Sequence, residues 1–381
     1  MDRIHVLHIV GWYPNIRIPH ETPFIARHID AVRPLCDNTV WHIDARPSTH
    51  WRWTQQTIRA DRTLLFESGV HRWVFLESIA TLLVLWAWFT RDRSKTYDVV
   101  NFHIAYPNCA HLGLLQRVLR LPIVITEHWS AYHSKFNNAK RGTHRIKRIF
   151  HHGVPVIVVS RALANDIAAF VGPPCPVFHV VDNAVDPLIF HPAPGHPFEE
   201  GTFFTIAGWR SPKRPDILLK AFALLLEKGR KAQLRIAGVG PQIPIIKTLI
   251  AELGIASRVQ LLGQLDAEAV AVELRSAHAL VHVSDYETYS AVCAEALCCG
   301  TPVIASAVGG IPEFVKPNMG ALVAENRDVL WAQVWHKAWD ATLAFDRQAI
   351  SETMTSRANA ASVGQRYHEV LQHAVRSFRP S

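Results

Sequence analysis

The chain alternates short β-branched apolar runs with helix-like segments, and it does so twice. Ile4–Val10, Val99–His103, Ile123–Thr126, Val156–Val159 and Val177–Val181 read as strands, and Phe24–Leu35 reads as an amphipathic helix after the Gly11-Trp12-Tyr13-Pro14-Asn15 turn. Phe203–Ala207 opens a second series, with strands at 234–237, 259–262, 279–283 and 302–305. Strands separated by helices need crossover connections, so both series predict parallel, doubly wound sheets. Between them, the stretch 187–201 holds Pro187, Pro192, Pro194, Gly195, Pro197 and Gly201, which stiffen or break the chain. A length of 381 residues exceeds one ordinary core. The expected organisation is therefore an N-terminal Rossmann-like domain over 1–190, a linker over 191–201 and a second Rossmann-like domain over 202–355. A final helix over 356–381 is expected to pack back on the first domain.

Within the second series, Glu287 and Glu295 stand eight positions apart in DYETYSAVCAEALCC. Thr288–Cys298 has few helix breakers, so the spacing predicts a helix preceded by a loop that carries Glu287. Eight helical steps advance about 12 Å and leave both carboxylates within roughly a quarter-turn of one face. The free N–H groups of the helix start lie between them and suit a phosphate. A carboxylate for sugar hydroxyls, a dipole for a diphosphate and a carboxylate for ribose together describe a nucleotide-sugar site. Two ordinary exposed acids near a helix start have the same spacing.

The surrounding residues extend the pattern: Gly300-Thr301-Pro302-Val303-Ile304-Ala305-Ser306, then Gly309-Gly310-Ile311-Pro312-Glu313, then Gly320-Ala321-Leu322-Val323. Upstream stand Leu234–Pro241 and the basic loop and helix Arg210–Phe222. Together these segments resemble the donor-binding core of family 4 of the retaining glycosyltransferases. The resemblance implies a GT-B type fold, two Rossmann-like doubly wound domains facing each other across a cleft. It implies a hexosyltransferase that takes a nucleotide diphosphate-sugar as donor, held by the C-terminal domain. The N-terminal domain would hold a glycan or lipid-linked acceptor, in cell-surface polysaccharide biosynthesis.

The same resemblance assigns roles to residues. Glu287 would grip the donor sugar and Glu295 the ribose. Lys213 falls on the family lysine that neutralises the diphosphate; the family arginine falls on Gly208, with Arg210 two places later. Gly238 lies in the strand-loop before the base pocket. Ser290, where many members have glycine, and Ala291 open the helix beside the phosphates. His128, in Ile125-Thr126-Glu127-His128-Trp129, matches the histidine beside donor sugar and acceptor and joins Glu287 as a catalytic candidate. His103, at another strand end, and Thr22, which replaces glycine in a Gly-x-Phe context, are acceptor-side candidates. At Val181–Asp186, Ala184 stands where the family usually has glycine.

The chain has no Asp-x-Asp pair of the kind that clamps a metal-bound diphosphate, so no metal and no other cofactor is expected; Lys213, Arg210 and the helix dipole would stabilise the leaving group. Residues 1–190 carry 21 Lys and Arg against 14 Asp and Glu, whereas 191–381 carry 19 against 18. Much of the surplus lies in Lys135, Lys140, Arg141, Arg145, Lys147 and Arg148, which suit phosphates or an anionic membrane surface as well as they suit a solvated face. No nucleic-acid-binding module is present, which argues against that partner. The apolar run Trp73–Thr90 is interrupted by Glu77 and followed by Arg91, so a buried or surface-docked helix is expected in place of a membrane span. Six unpatterned cysteines and the absence of an apolar leader lead us to expect a cytoplasmic protein, peripheral on the inner face of the membrane. Two other classes fit parts of this pattern: a nucleotide-sugar epimerase on a similar body, and a non-catalytic nucleotide-sugar-binding protein.

Overall fold

The computed structural model describes residues 3–13, 23–58, 61–68, 73–136, 143–193 and 198–379. It divides into two compact units, residues 1–184 with 360–381, and residues 185–359. The expected linker 191–201 thus lies within the second unit, and the final helix groups with the first.

The first unit runs β1 (His5–Val10), α1 (Pro23–Val32), β2 (Asp37–Pro47), β3 (Arg52–Ile58), β4 (Asp61–Ser68), α2 (Trp73–Phe89), β5 (Val99–His103), α3 (Leu112–Leu119), β6 (Ile123–Glu127), α4 (His144–Phe150), β7 (Val156–Val158), α5 (Arg161–Val171) and β8 (Phe178–Val180). Its sheet is ordered β3-β4-β2-β1-β5-β6-β7-β8. Every pairing is parallel except β3 with β4. The chain leaves β1 towards β2 and returns to its other side at β5, so the sheet's switch point lies between β1 and β5. β5, β6 and β7 are buried along their whole length, as strands covered by helices on both faces must be.

The expected helix over 73–90 forms as α2 and packs on β2. Leu76, Ala80, Val84 and Ala87 are buried, whereas Leu82, Trp86 and Phe89 are exposed. Glu77 does not interrupt it. Its buried carboxylate accepts from Tyr106 Oη at 2.7 Å and faces Arg145 Nη1 at 3.2 Å, so a polar residue in an apolar run is paid for by partners. No helix among the described residues is long and apolar enough to cross a membrane.

The second unit contains β9 (Glu199–Ile206), α6 (Pro215–Glu227), β10 (Gln233–Ala237), α7 (Ile243–Glu252), β11 (Val259–Gly263), α8 (Ala267–Ser276), β12 (Ala277–His282), α9 (Ala291–Cys298), β13 (Val303–Ser306), β14 (Gly320–Val323), α10 (Asp328–Leu343) and α11 (Arg347–Ala358). The sheet order is β11-β10-β9-β12-β13-β14, all parallel. Its switch point lies between β9 and β12. Asp266 caps α8 by accepting from Ala269 N at 2.8 Å, and Asp346 caps α11 by accepting from Gln348 N and Ala349 N. Phe203, Phe222, Trp331, Trp335 and Trp339 fill the core between the sheet and helices α6 and α10.

The last helix, α12 (Ala360–Ser377), lies along α1 and under the first sheet, where Val363, Tyr367 and Leu371 join Val6, Val99 and Val124 in one core. Tyr367 Oη bonds with Asn101 Nδ2 and Thr126 Oγ1, both at 2.5 Å. Close approach of α12 to α1 depends on Gly364, since a Cβ there would stand 2.1 Å from the Ala31 carbonyl oxygen. Gly364→Ala should force the helices apart and cost about 1–3 kcal/mol, as overpacking does. A lower urea midpoint with an unchanged m-value is the expected result; an unchanged midpoint would show that the helices accommodate a side chain there and that glycine is not required.

Candidate functional site

In an open parallel sheet, ligands bind at the carboxyl ends of strands beside the switch point. In the second unit that point is flanked by the loop after β9, which carries Arg210 and Lys213, and the loop after β12, which carries Glu287. The structure brings Lys213 and Glu287 together. Lys213 Nζ contacts Glu287 Oε1, His282 Nε2 lies 2.8 Å from the same oxygen, and Lys213 Nζ is 3.3 Å from His282 Nε2. Burial alone would raise the Glu287 carboxyl; the Lys213 charge, with His282 behind it, overcomes that and holds it at about 2. His282 is itself pushed down, by burial first and then by the Lys213 charge, against the pull of Glu287.

Glycine makes this geometry available. Gly309 has φ +52, and a Cβ on it would lie 1.5 Å from the Glu287 carbonyl oxygen, which instead accepts from Gly310 N at 3.1 Å. The loop after β9 is stitched to the loop after β10: Trp209 N donates to Val239 O, Gln242 N to Trp209 O, and Trp209 Nε1 to Ala237 O. Gly238, at φ +99, permits that approach, since a Cβ would be 2.0 Å from Ala207 O.

The helix expected from Thr288 begins instead at Ala291. Residues 288–290 stay in the loop because Ser290, at φ 72 and ψ 82, is left-handed and cannot continue a right-handed helix. Eight steps along one helix therefore do not connect Glu287 to Glu295. Glu295 stands half-buried within α9 and Glu287 in the loop before it. Ser290 does not cap α9; its hydroxyl donates to Cys293 Sγ at 3.1 Å, and Ala291 is the first helical residue. Arg210 is exposed, and its guanidinium has no ion-pair partner among the described residues.

In the first unit, His128 follows β6 and is 6% exposed. Both its ring nitrogens lack a partner among the described residues. Its ring centroid lies 4.9 Å from Phe24, 5.1 Å from His28 and 6.3 Å from His103. His103 is fully buried, with Nε2 3.1 Å from His8 Nδ1 and 3.0 Å from Asn101 Nδ2. His28 Nε2 lies 2.9 Å from Asp182 O. Glu127 turns the chain here. Its carboxylate accepts from Ala105 N, His128 N, Trp129 N and Tyr132 Oη at 2.8–3.0 Å, and so fixes the backbone on which His128 sits. Thr22 lies outside the described residues.

Residues 189–335 match the family model of glycosyl transferases group 1, and residues 36–187 that of Glycosyltransferase Family 4. The chain belongs to the family 4 glycosyltransferases. It is 28% identical over 234 residues to N-acetyl-alpha-D-glucosaminyl L-malate synthase of Bacillus anthracis, a match that covers 59% of this chain and 60% of that one. Among solved structures, sucrose-phosphate synthase from Thermosynechococcus elongatus has a TM-score of 0.75 at 19% identity, over 99% of this chain and 100% of that one. HepE of Anabaena, solved with UDP and glucose, has a TM-score of 0.70 at 17% identity, over 97% and 100%. The shared fold is the two-Rossmann GT-B type.

Sequence reading missed His282, Glu127 and His28. His282 had one usable signal, its place as the last residue of a strand beside the switch point. Glu127 and His28 had none: Glu127 spends its carboxylate on Tyr132 and on the amides of its own turn and of Ala105, and His28 meets the distant Asp182 carbonyl.

The histidines make the first unit acid-sensitive. Burial pushes His8 and His28 down to about 4, and places His103 and His128 well below the ordinary 6.5. An unfolded chain binds these protons near pH 6.5 and the folded one does not, so the stabilisation is full above 6.5 and is lost as pH falls towards 4. Each such histidine contributes about 1.4 kcal/mol per pH unit across that window. Urea unfolding between pH 7 and 4 should show stability falling with the slope of more than one proton; a flat profile would mean that the rings are solvated.

Proposed function

We propose that this protein transfers a hexosyl unit, with retention, from a nucleotide diphosphate-sugar to an acceptor brought by the first unit. The observation that carries the reading is the buried Lys213–Glu287–His282 group at the switch point of the second sheet, beside the start of α9. An ammonium has three donors. One faces Glu287 Oε1, to which His282 Nε2 also donates, so the others remain for a diphosphate oxygen. Glu287 Oε1 takes both neighbours, and Oε2 remains for sugar hydroxyls. Because the Ser290 side chain does not cap α9, the first-turn N–H groups remain available to phosphate. Glu295 would take the ribose, Gly238 would let the base approach the loop after β10, and Arg210 would join Lys213 on the diphosphate. HepE, whose structure was solved with UDP and glucose, supports a nucleotide-sugar donor for this fold.

In this reading the bond from the sugar's anomeric carbon to the diphosphate breaks, and its electron pair leaves with the phosphate. The acceptor hydroxyl attacks from the same face, and its proton passes to the departing phosphate oxygen. Lys213 and the α9 N-terminus stabilise the charge that develops there, so no metal ion is called for. His128, buried and neutral, would present a ring nitrogen to the reacting face as a hydrogen-bond partner.

The test is release of nucleotide diphosphate from a panel of nucleotide-sugars, in excess EDTA, with and without glycan and lipid-linked acceptors. Acceptor-dependent release with a retained anomeric configuration is expected. Conversion of the donor without an acceptor would indicate an epimerase, and binding without conversion a non-catalytic protein. Glu287→Ala should lower kcat by about 100-fold or more, as loss of a transition-state contact does, whereas Glu295→Ala should mainly raise KM for the donor. Equal small effects would remove both assignments.

We further propose that the acceptor is met at an anionic membrane surface. Trp51, Trp53, Trp86, Leu82 and Phe89 are 40–61% exposed on β3, α2 and the turn before β3, the side-chain types that enter a lipid interface. The basic cluster contributes less than its sequence suggests. Arg145 is paired with Glu77, Lys147 lies 5.0 Å over the Phe170 ring, and Lys140 and Arg141 lie outside the described residues. Sedimentation with phosphatidylglycerol vesicles should be lost in Trp53→Ser/Trp86→Ser while donor binding is kept; equal sedimentation of the variant and the wild type would end the proposal.

A further inference from the structure

The first unit holds a cavity of about 750 Å³ at the edge of the sheet away from His128. Its walls come from the end of α3, the segments that lead into β6 and β7, and the end of α12. Pro122 and Ile123 line it where β6 begins, whereas His128 follows the last residue of that strand. Five residues of strand separate the two ends by roughly 16 Å. A ligand in the cavity therefore cannot touch His128.

The lining is strongly one-signed. Arg117, Arg120, Arg379 and His152 face the cavity, and no Asp or Glu lines it. None of the three guanidinium groups has a hydrogen-bond or ion-pair partner among the described residues. Arg3, Arg33, Arg46 and Arg366 of this unit are matched with Asp37, Asp30, Asp44 and Asp182, whereas Arg52, Arg93 and Arg148 are, among the described residues, single unmatched cations that line no shared concavity. Gathering three unmatched cations around one concavity costs self-repulsion, which an anion reverses. Arg120 adds a second cost. It closes α3 at φ 52 and ψ 36, the left-handed conformation that glycine adopts freely and other residues adopt only at a cost. The turn itself has no need of a guanidinium. Planar guanidinium forks match phosphate oxygens in pairs, and the apolar wall at Pro122 and Phe378 gives the rest of such a molecule a surface to lie on. A volume of this size admits a whole small molecule and not merely an ion.

We propose that this cavity binds a phosphorylated ligand through Arg117, Arg120 and Arg379, at a site that the transfer reaction does not use. The chemistry is that of a phosphate ester, carried either by a soluble metabolite or by a lipid headgroup. The site stands or falls independently of the donor site, because it shares no residue with it.

The experiment uses the full chain, with the His152 ring-proton resonances assigned by comparison with His152→Gln. Pyrophosphate should shift those resonances saturably in the wild-type protein. In R117Q/R120Q/R379Q the apparent affinity should fall by about tenfold or more, since each lost charge-assisted contact counts. These are exposed positions, so thermal melting should match the wild type, and donor binding should be unchanged. A triple Arg→Lys variant should keep the shift with weaker affinity. Sedimentation with phosphatidylcholine vesicles, with and without phosphatidylglycerol, separates the sources. Anionic vesicles that retain the wild type and lose the triple Gln variant identify a lipid headgroup; discrimination by pyrophosphate alone identifies a soluble ester. His152 resonances that do not move, or that move identically in the wild type and the triple Gln variant with no difference on vesicles, would overturn the site.

Discussion

A carboxylate kept ionised out of water is the constraint on which the donor side of this molecule turns. Glu287 is buried enough that desolvation alone would protonate it, and Lys213 with His282 reverses that balance. Removing Lys213 would leave an uncompensated charge on Glu287, the costly case for a buried pair. The compensation therefore fixes distances between chain segments that sequence keeps far apart: the loop after β9, the end of β12 and the loop that follows it. Gly309 closes the arrangement from behind, because only a residue without a side chain can lie there against the Glu287 backbone, and Gly310 N donates to the Glu287 carbonyl. The site is in this sense a property of the sheet's topology. The chain reverses direction between β9 and β12, and two loops are left with a gap between them that opposite charges fill.

The first unit solves its own version of the problem without charge. Around His128 stand His28, His103, His8, Asn101, Thr126 and Tyr367, all buried, joined by hydrogen bonds and ring contacts. Burial holds the imidazoles neutral, and neutral imidazoles tolerate one another at distances that cations would not. Glu127 is an acid at the centre of this unit's site, and its four hydrogen bonds are spent on holding the strand-end turn. The residue beside it is thus positioned by backbone as much as by its own ring.

Most of the fold was legible because its strands are buried on both faces and read as continuous apolar runs. Val99–His103 and Ile123–Glu127 are of that kind. The hairpin β3–β4 was not legible: β3, RWTQQTI, is an edge strand with mostly exposed residues, and an edge with no buried face writes no alternation into sequence. In the site, Lys213 and Glu287 could be read because their neighbours form a dense local pattern. The start of α9 was misplaced by three residues because serine at 290 looks permissive to a helix, whereas its backbone is left-handed for reasons that only the packed loop imposes. Residues that meet a backbone group distant in sequence, such as His28 with the Asp182 carbonyl, have no local signature at all.

The first unit is written in two pieces, and that has a consequence for how the chain becomes a protein. Its core is complete only when Val363, Tyr367 and Leu371 have taken their places beside Val6, Val99 and Val124. On the ribosome these residues emerge after the whole of the second unit, so an entire second sheet is made while the first still lacks its closing helix. The crossings at 184–185 and 359–360 lie side by side, with Val185 N donating to Ala358 O at 2.9 Å and Val185 bridged to Asn359. Once the second unit has folded, its own termini hold the returning chain next to the point of departure. The loop that must be closed to bring α12 home is thereby shortened from about 175 residues to a few, and the entropy of that closure is met by the folding of the inserted unit.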